Sequence, residues 1–211
     1  MDIDTTTRAS YDEEKIIHDI YGKIAFLKIK PAFALDKILF SFVQRKENTE
    51  NAFQPQEETL QGKVKASIDC YMSITDARLF AAKITSGRIG KAMELSLNNA
   101  KSQNTQYPDA AWTSRLGGKV TYKDGEKITI SRHFSITPGT QKYGVIQAVE
   151  QPAEEKVFED GKKLYVPIKN AKKEQIKRIY IPVENYDELE AMAWAIKDAC
   201  TAYSIQKLCN M

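Results

Sequence analysis

Three groups of residues in this 211-residue chain have the composition of a binding surface. Lys63, Lys65 and Tyr71 recur at odd positions of one alternating segment. Lys119, Lys123, Lys127 and His133 fall along a second alternating pair of segments, and Tyr107, Trp112 and Arg115 sit just before it. Cations spaced along a groove neutralise phosphates, and flat rings give bases a stacking surface at about 1–3 kcal/mol per base. That is the chemistry of holding a single nucleic-acid strand without reading its sequence. A plainer reading competes with it: lysines keep an exposed sheet face in water, and Trp112 plugs the edge of a core.

Catalytic chemistry has little to work with. His18 and His133 lack a second histidine or a cysteine at metal-ligand spacing, and Cys70, Cys200 and Cys209 share no CxxC spacing. These cysteines read as core thiols. No GxSxG or GxGxxG occurs. The segment Gly87-Arg88-Ile89-Gly90-Lys91-Ala92 has two residues between its glycines where a phosphate-cradling loop needs four, and Ala92 stands where a magnesium-binding hydroxyl would be. Acidic residues are plentiful, but no pair is marked as acid and base. No enzyme, cofactor or metal site is expected.

Charge supports an anionic partner only when resolved along the chain. The formal net charge is +3, with 42% hydrophobic and 28% charged residues, an ordinary globular composition. Counting Lys and Arg against Asp and Glu, residues 1–62 carry 8 against 11, residues 63–148 carry 13 against 6, and residues 149–211 carry 10 against 11. The basic excess lies in the middle. Asymmetry of this kind hints at a polyanion. No run of 18 apolar residues occurs and the N-terminus is polar and acidic, so a soluble, cytoplasmic protein is expected.

The elements that must position these residues follow from periodicity. Residues 1–20 read as a flexible polar leader with one helical turn around Glu13 to Ile20. Lys23 to Lys30 and Lys37 to Lys46 read as strands broken at Pro31, and Asn48 to Gln61 as a polar loop. Gly62 to Ile74 alternates cleanly, with Val64, Ala66, Ile68, Cys70 and Met72 on its apolar face. Thr75 is placed to cap a helix carrying Ala77, Phe80, Ala81 and Ile84, which Gly87 ends, and Ile89 to Leu97 continues as a second helical piece before a linker at Asn98 to Gln106.

Lys119 to Tyr122 and Glu126 to Ile136 flank Asp124-Gly125, a hairpin signal. A three-residue loop with a glycine bulge is expected. It aligns Val120 and Tyr122 with Ile128, Ile130, Phe134 and Ile136 on one face, leaving Lys119, Lys123, Lys127 and His133 together on the other. Tyr143 to Val149, Leu164 to Ile168 and Ile176 to Val183 supply further strands. A last helix starts at an Asn185/Glu188 capping box and carries Leu189, Met192, Ala193, Ile196, Cys200 and Tyr203 as one stripe.

The two strand-to-helix junctions superpose at an offset of 112 residues from Val64/Ile176 through Ile84/Ile196, with identities at Lys65/Lys177, Ala81/Ala193 and Ile84/Ile196. The expected fold is therefore α+β, one domain over 21–211 built from two repeats, about 21–100 and 110–208, each of antiparallel strands followed by a helix packed on the sheet. This order resembles the Whirly, PC4 and Pur-alpha group of single-stranded nucleic-acid-binding proteins over residues 21–208. The nearest string to the Whirly KGKAAL strand motif, Gly90-Lys91-Ala92-Met93, falls after the first helix, so no residue is carried over. The resemblance implies strand binding on exposed sheet faces and homo-oligomers formed through helices.

Two functions follow as expectations. The first is a non-catalytic protein that binds single-stranded DNA or RNA, DNA foremost, through Lys63, Lys65, Tyr71, Trp112, Arg115, Lys119, Lys123, Lys127 and His133. The second is an interaction or assembly module whose lysines only solvate it.

Overall fold

The structure is a computed structural model that describes residues 15–46, 64–123, 126–139, 142–159, 161 and 163–210. It is α+β, and the described residues form two antiparallel sheets and three α-helices. The first sheet is a meander of β1 (His18–Tyr21), β2 (Ala25–Ala32), β3 (Lys37–Arg45) and β4 (Val64–Ser73) in that spatial order, leading directly into α1 (Ile74–Thr85). Gly87, at φ 73°, joins α1 to α2 (Arg88–Ser102) in the left-handed conformation that glycine adopts without strain.

The second sheet is built on two long strands, β7 (Glu126–Pro138) and β8 (Gly144–Val157). The short β5 (Trp112–Thr113) and then β6 (Gly117–Lys123) pair successive stretches of β7, while β9 (Lys163–Pro167) and β10 (Lys177–Val183) pair successive stretches of β8. The chain then enters α3 (Tyr186–Cys209).

Both sheets bury one face in a shared core. From the first come Leu27, Ile29, Phe40, Phe42 and Ile68, from the second Phe134, Ile136, Ile146, Ile179 and Ile181, and from the helices Phe80, Ile84, Leu189, Met192 and Ile196. Phe134 lies at the junction. Its ring centroid is 4.7 Å from Phe40, 5.6 Å from Phe42, 5.9 Å from Phe80 and 5.3 Å from Trp112. The far end of α3 is pinned to the β2–β3 turn: Tyr203 stacks on Phe33 at 4.4 Å and its hydroxyl donates to Asp36, which also binds Lys207 at 2.9 Å.

Several expectations need correction. A strand, His18–Tyr21, stands where a helical turn was expected, and it buries Ile20. β2 runs through Pro31, because Pro31 lies beyond the end of β1 and its missing N–H leaves no ladder bond unmade there. The reversal comes at Phe33–Leu35 and a left-handed Asp36. Ser73, and not Thr75, caps α1, accepting from the Asp76 N–H at 3.1 Å. α2 extends to Ser102, through much of the expected linker.

The hairpin has the other register. Tyr122 faces Lys127 and Lys123 faces Glu126, a two-residue connection whose own residues, Asp124 and Gly125, lie outside the described ones. Apolar coherence does not govern this end because no face of it is buried; Tyr122 is 74% exposed.

The repeat holds in the helices and slips in the strands. α1 and α3 begin 112 residues apart, each capped by a side-chain oxygen, from Ser73 and Asn185. Ala77, Phe80, Ala81 and Ile84 are buried as are Leu189, Met192, Ala193 and Ile196. In the strands, Ile68, Cys70 and Met72 of β4 correspond in burial to Ile179, Ile181 and Val183 of β10, one residue less in offset. Glu184 is the added residue between strand and helix, and its N–H is accepted by the Glu188 carboxylate at 2.9 Å.

Phe134→Ala removes the ring that joins both sheets and α1, and is expected to destabilise the fold by about 3–5 kcal/mol. Urea unfolding monitored by far-UV circular dichroism measures it; a loss below about 1 kcal/mol contradicts a junction at Phe134.

Candidate nucleic-acid interface

The free edge of the first sheet faces the β5–β6 edge of the second across a trough. Two adjoining cavities form it, of about 290 and 210 Å³, sharing Tyr71, Ser114 and Arg115. Lys37, Asp69, Cys70 and Tyr71 line the larger cavity from the first sheet, facing Arg115, Lys119, Arg132, Lys163 and Tyr165 from the second.

Local structure explains how each side chain arrives. Alternation along β4 turns Cys70 and Met72 inward and leaves Tyr71 49% exposed. The Lys37 ammonium, at the start of β3, sits 5.9 Å from the Tyr71 ring centroid. Gly118 admits a close approach. A β-carbon there would stand 2.5 Å from Cγ of Tyr165, so β9 lies against β6 only because residue 118 has no side chain. The Asp69 carboxylate accepts from the Ser41 hydroxyl at 2.7 Å.

An ion cluster centred on the buried Glu150 ties the two walls. Glu150 accepts from Arg132 Nε at 2.7 Å and from Lys177 at 2.7 Å, and the same Arg132 reaches the Asp69 carbonyl at 3.4 Å. Burial alone would raise the Glu150 carboxyl, but the hydrogen bonds from Lys177 and Arg132 outweigh it and hold it below the ordinary glutamate range. Burial pushes the Cys70 thiol up to about 12, so the cysteine in the trough stays protonated and is no nucleophile at neutral pH.

The structure brings four of the expected residues together. Tyr71, Arg115 and Lys119 line the larger cavity, and Trp112 lines the smaller with Tyr71 and Arg115. Trp112 packs on Phe80 at 4.3 Å, as the core reading expects, and also lines the smaller cavity. Lys65 is exposed farther along β4, and Lys63 lies outside the described residues.

The hairpin residues separate. Direct pairing of Lys119 with Ile130 puts Lys119 and Lys123 on one face of β6, and Lys127 and His133 belong to the opposite face of β7. This corrects the expected single face. Lys127 is bound to Glu155 at 3.0 Å, with Lys163 on the same carboxylate at 2.8 Å. His133 is half-buried, and desolvation lowers its pKa, so it adds no cation at neutral pH.

Sequence reasoning missed Lys37, Arg132, Lys163 and Tyr165 in the trough. It also missed the outward face of the first sheet, where Tyr21 and Phe26 lie 5.7 Å apart and the Arg45 guanidinium sits 5.1 Å over Phe26. The signal was there: Tyr21, Phe26 and Arg45 occupy the positions that alternate with the apolar core residues of β1, β2 and β3.

Comparison with protein-family models, with characterised proteins and with solved structures returned no match. Among the described residues there is no cluster of His, Cys, Asp and Glu able to hold a metal ion, and no helix is long and apolar enough to cross a membrane.

Glu150→Gln is expected to cost about 1.5–3 kcal/mol at pH 7, since hydrogen bonds to a charged group are lost. The folded-state pKa is depressed, so this stabilisation is complete above the unfolded glutamate value of about 4.3 and disappears as pH falls through the folded one. Urea titrations of both proteins between pH 7 and pH 3 test it; a pH-independent difference contradicts the charge assignment.

Proposed function

We propose that this protein binds single-stranded nucleic acid, without catalysis, along the trough between its two sheets. The observation that carries the reading is that exposed cations from separate elements, Lys37, Arg115, Lys119 and Lys163, line one cavity together with the exposed ring of Tyr71. Lys37 and Tyr71 also belong to the outward face of the first sheet, so cations and rings continue from the trough toward Phe26 and Arg45. This combination serves a flexible backbone with splayed bases better than a rigid duplex, because each phosphate and each base finds its own partner. DNA and RNA share these contacts.

The ion pairs within the trough are weak enough to open. Arg115 reaches Asp76 at 3.5 Å while 84% exposed, and exposed pairs contribute about 0–1 kcal/mol. A phosphate that displaces Asp76 exchanges one solvated partner for another and releases a counterion.

A second reading, assembly, rests on α3. Trp194, Ile205 and Leu208 lie on one stripe of that helix and are 48%, 57% and 71% exposed. Homo-oligomerisation through this stripe would bring several troughs together, and light scattering on the free protein reports it as a multiple of the chain mass.

Fluorescence anisotropy with labelled oligothymidylate and oligouridylate over a salt series tests the function. Four phosphate contacts predict a log–log salt slope of about −3, and Arg115→Ala with Lys119→Ala should flatten it by about 1.4. Absence of binding at low salt, or binding indifferent to salt, overturns the reading.

A further inference from the structure

The smaller cavity, about 210 Å³, is of a different kind from the basic trough it opens into. Leu79 and Phe80 of α1, Tyr71 of β4 and Trp112 of β5 wall it. Polar groups stand among them: Ser73, Asp76 and Lys83 on the α1 side, Thr113 and Ser114 after Trp112, and Arg115 shared with the trough. The Trp112 and Phe80 rings, 4.3 Å apart, make a rigid wall because both pack on the core around Phe134. Its volume is below the roughly 300 Å³ at which pockets for drug-sized ligands begin, so it suits one flat ring system more than a whole nucleotide.

Ring-bearing walls interleaved with hydrogen-bonding groups, opening onto clustered cations, complement a ligand of two parts, a flat polar heterocycle joined to an anionic chain. We propose that this cavity receives one unstacked base of the bound strand, stacked on Trp112, while the neighbouring phosphates lie on Arg115 and Lys119. This rests on the strand-binding reading above. It assigns to the cavity a task that charge neutralisation does not perform: holding the strand by a base, at a fixed point along the trough. The Arg115–Asp76 pair spans the region where cavity and trough meet, so entry of a base and transfer of Arg115 to a phosphate occur together.

The chain contains two tryptophans, and Trp194 is exposed on α3, so Trp194→Phe leaves Trp112 as the sole indole reporter without disturbing the core. This variant is titrated at low salt with oligothymidylate of roughly 12 nucleotides, with an abasic deoxyribose-phosphate strand of equal length and charge, and with a glutamate–tyrosine copolymer. The base-bearing strand is expected to quench Trp112 emission and to bind at least about five-fold more tightly than the abasic strand, as one stacked base requires. Leu79→Ala, at an exposed position, should narrow that ratio several-fold while leaving the salt slope unchanged.

Equal, salt-dependent affinity for both strands with unchanged emission overturns the base cavity and leaves strand binding in the trough standing. Failure of both strands to bind overturns strand binding as well. Quenching by the copolymer and not by oligothymidylate assigns the cavity to an aromatic side chain of an acidic protein and also overturns the proposal.

Discussion

Phe134 packs against Phe40, Phe42, Phe80 and Trp112, and through these contacts the two sheets and α1 share one core. Each sheet is apolar on one face and must bury it, and each is too small to make a core alone. Placing the inner faces together around one aromatic residue solves both problems and draws α1 into the same contact. The sheet edges are then brought face to face. A trough between β4 and the β5–β6 edge follows from joining the sheets at Phe134, and Trp112 stands where the core ends and the cavity begins.

Charge is distributed in keeping with that geometry. Arg132, the most buried cation of the trough, is matched by Glu150, as a charge removed from water must be. Its remaining reach goes to the β4 backbone, so the pair spaces the two walls as well as neutralising itself. Toward solvent, the cations are held loosely or share carboxylates: Lys127 and Lys163 both bind Glu155, and Arg115 touches Asp76 at long range. Rigid inside and exchangeable outside is the arrangement a reversible polyanion site needs.

Helix faces and the start of α3 were legible because they depend on neighbours within a turn or two. Ala77 through Ile84 and Leu189 through Cys200 declare their buried sides by spacing alone, and Asn185 marks the start of α3, whereas the α1 cap falls on Ser73, two residues before the expected Thr75. The hairpin register was not legible. The rule that one face should be apolar presumes a buried face, and the Tyr122 end has none. That slip moved Lys119 and Lys123 away from Lys127 and His133. The site was legible in part for a similar reason. Tyr71, Trp112, Arg115 and Lys119 lie close in sequence to the two facing edges, whereas Lys37, Arg132 and Lys163 reach the trough from strands whose placement only the packing of the two sheets decides.

The proposed strand lies between the two sheet edges and touches both. Amide hydrogen exchange of the full chain, with and without saturating oligothymidylate, tests it most directly. Added protection is expected in residues 69–73 and 112–119 together, with α3 unchanged. Protection confined to α3, or to one sheet edge without the other, would contradict it.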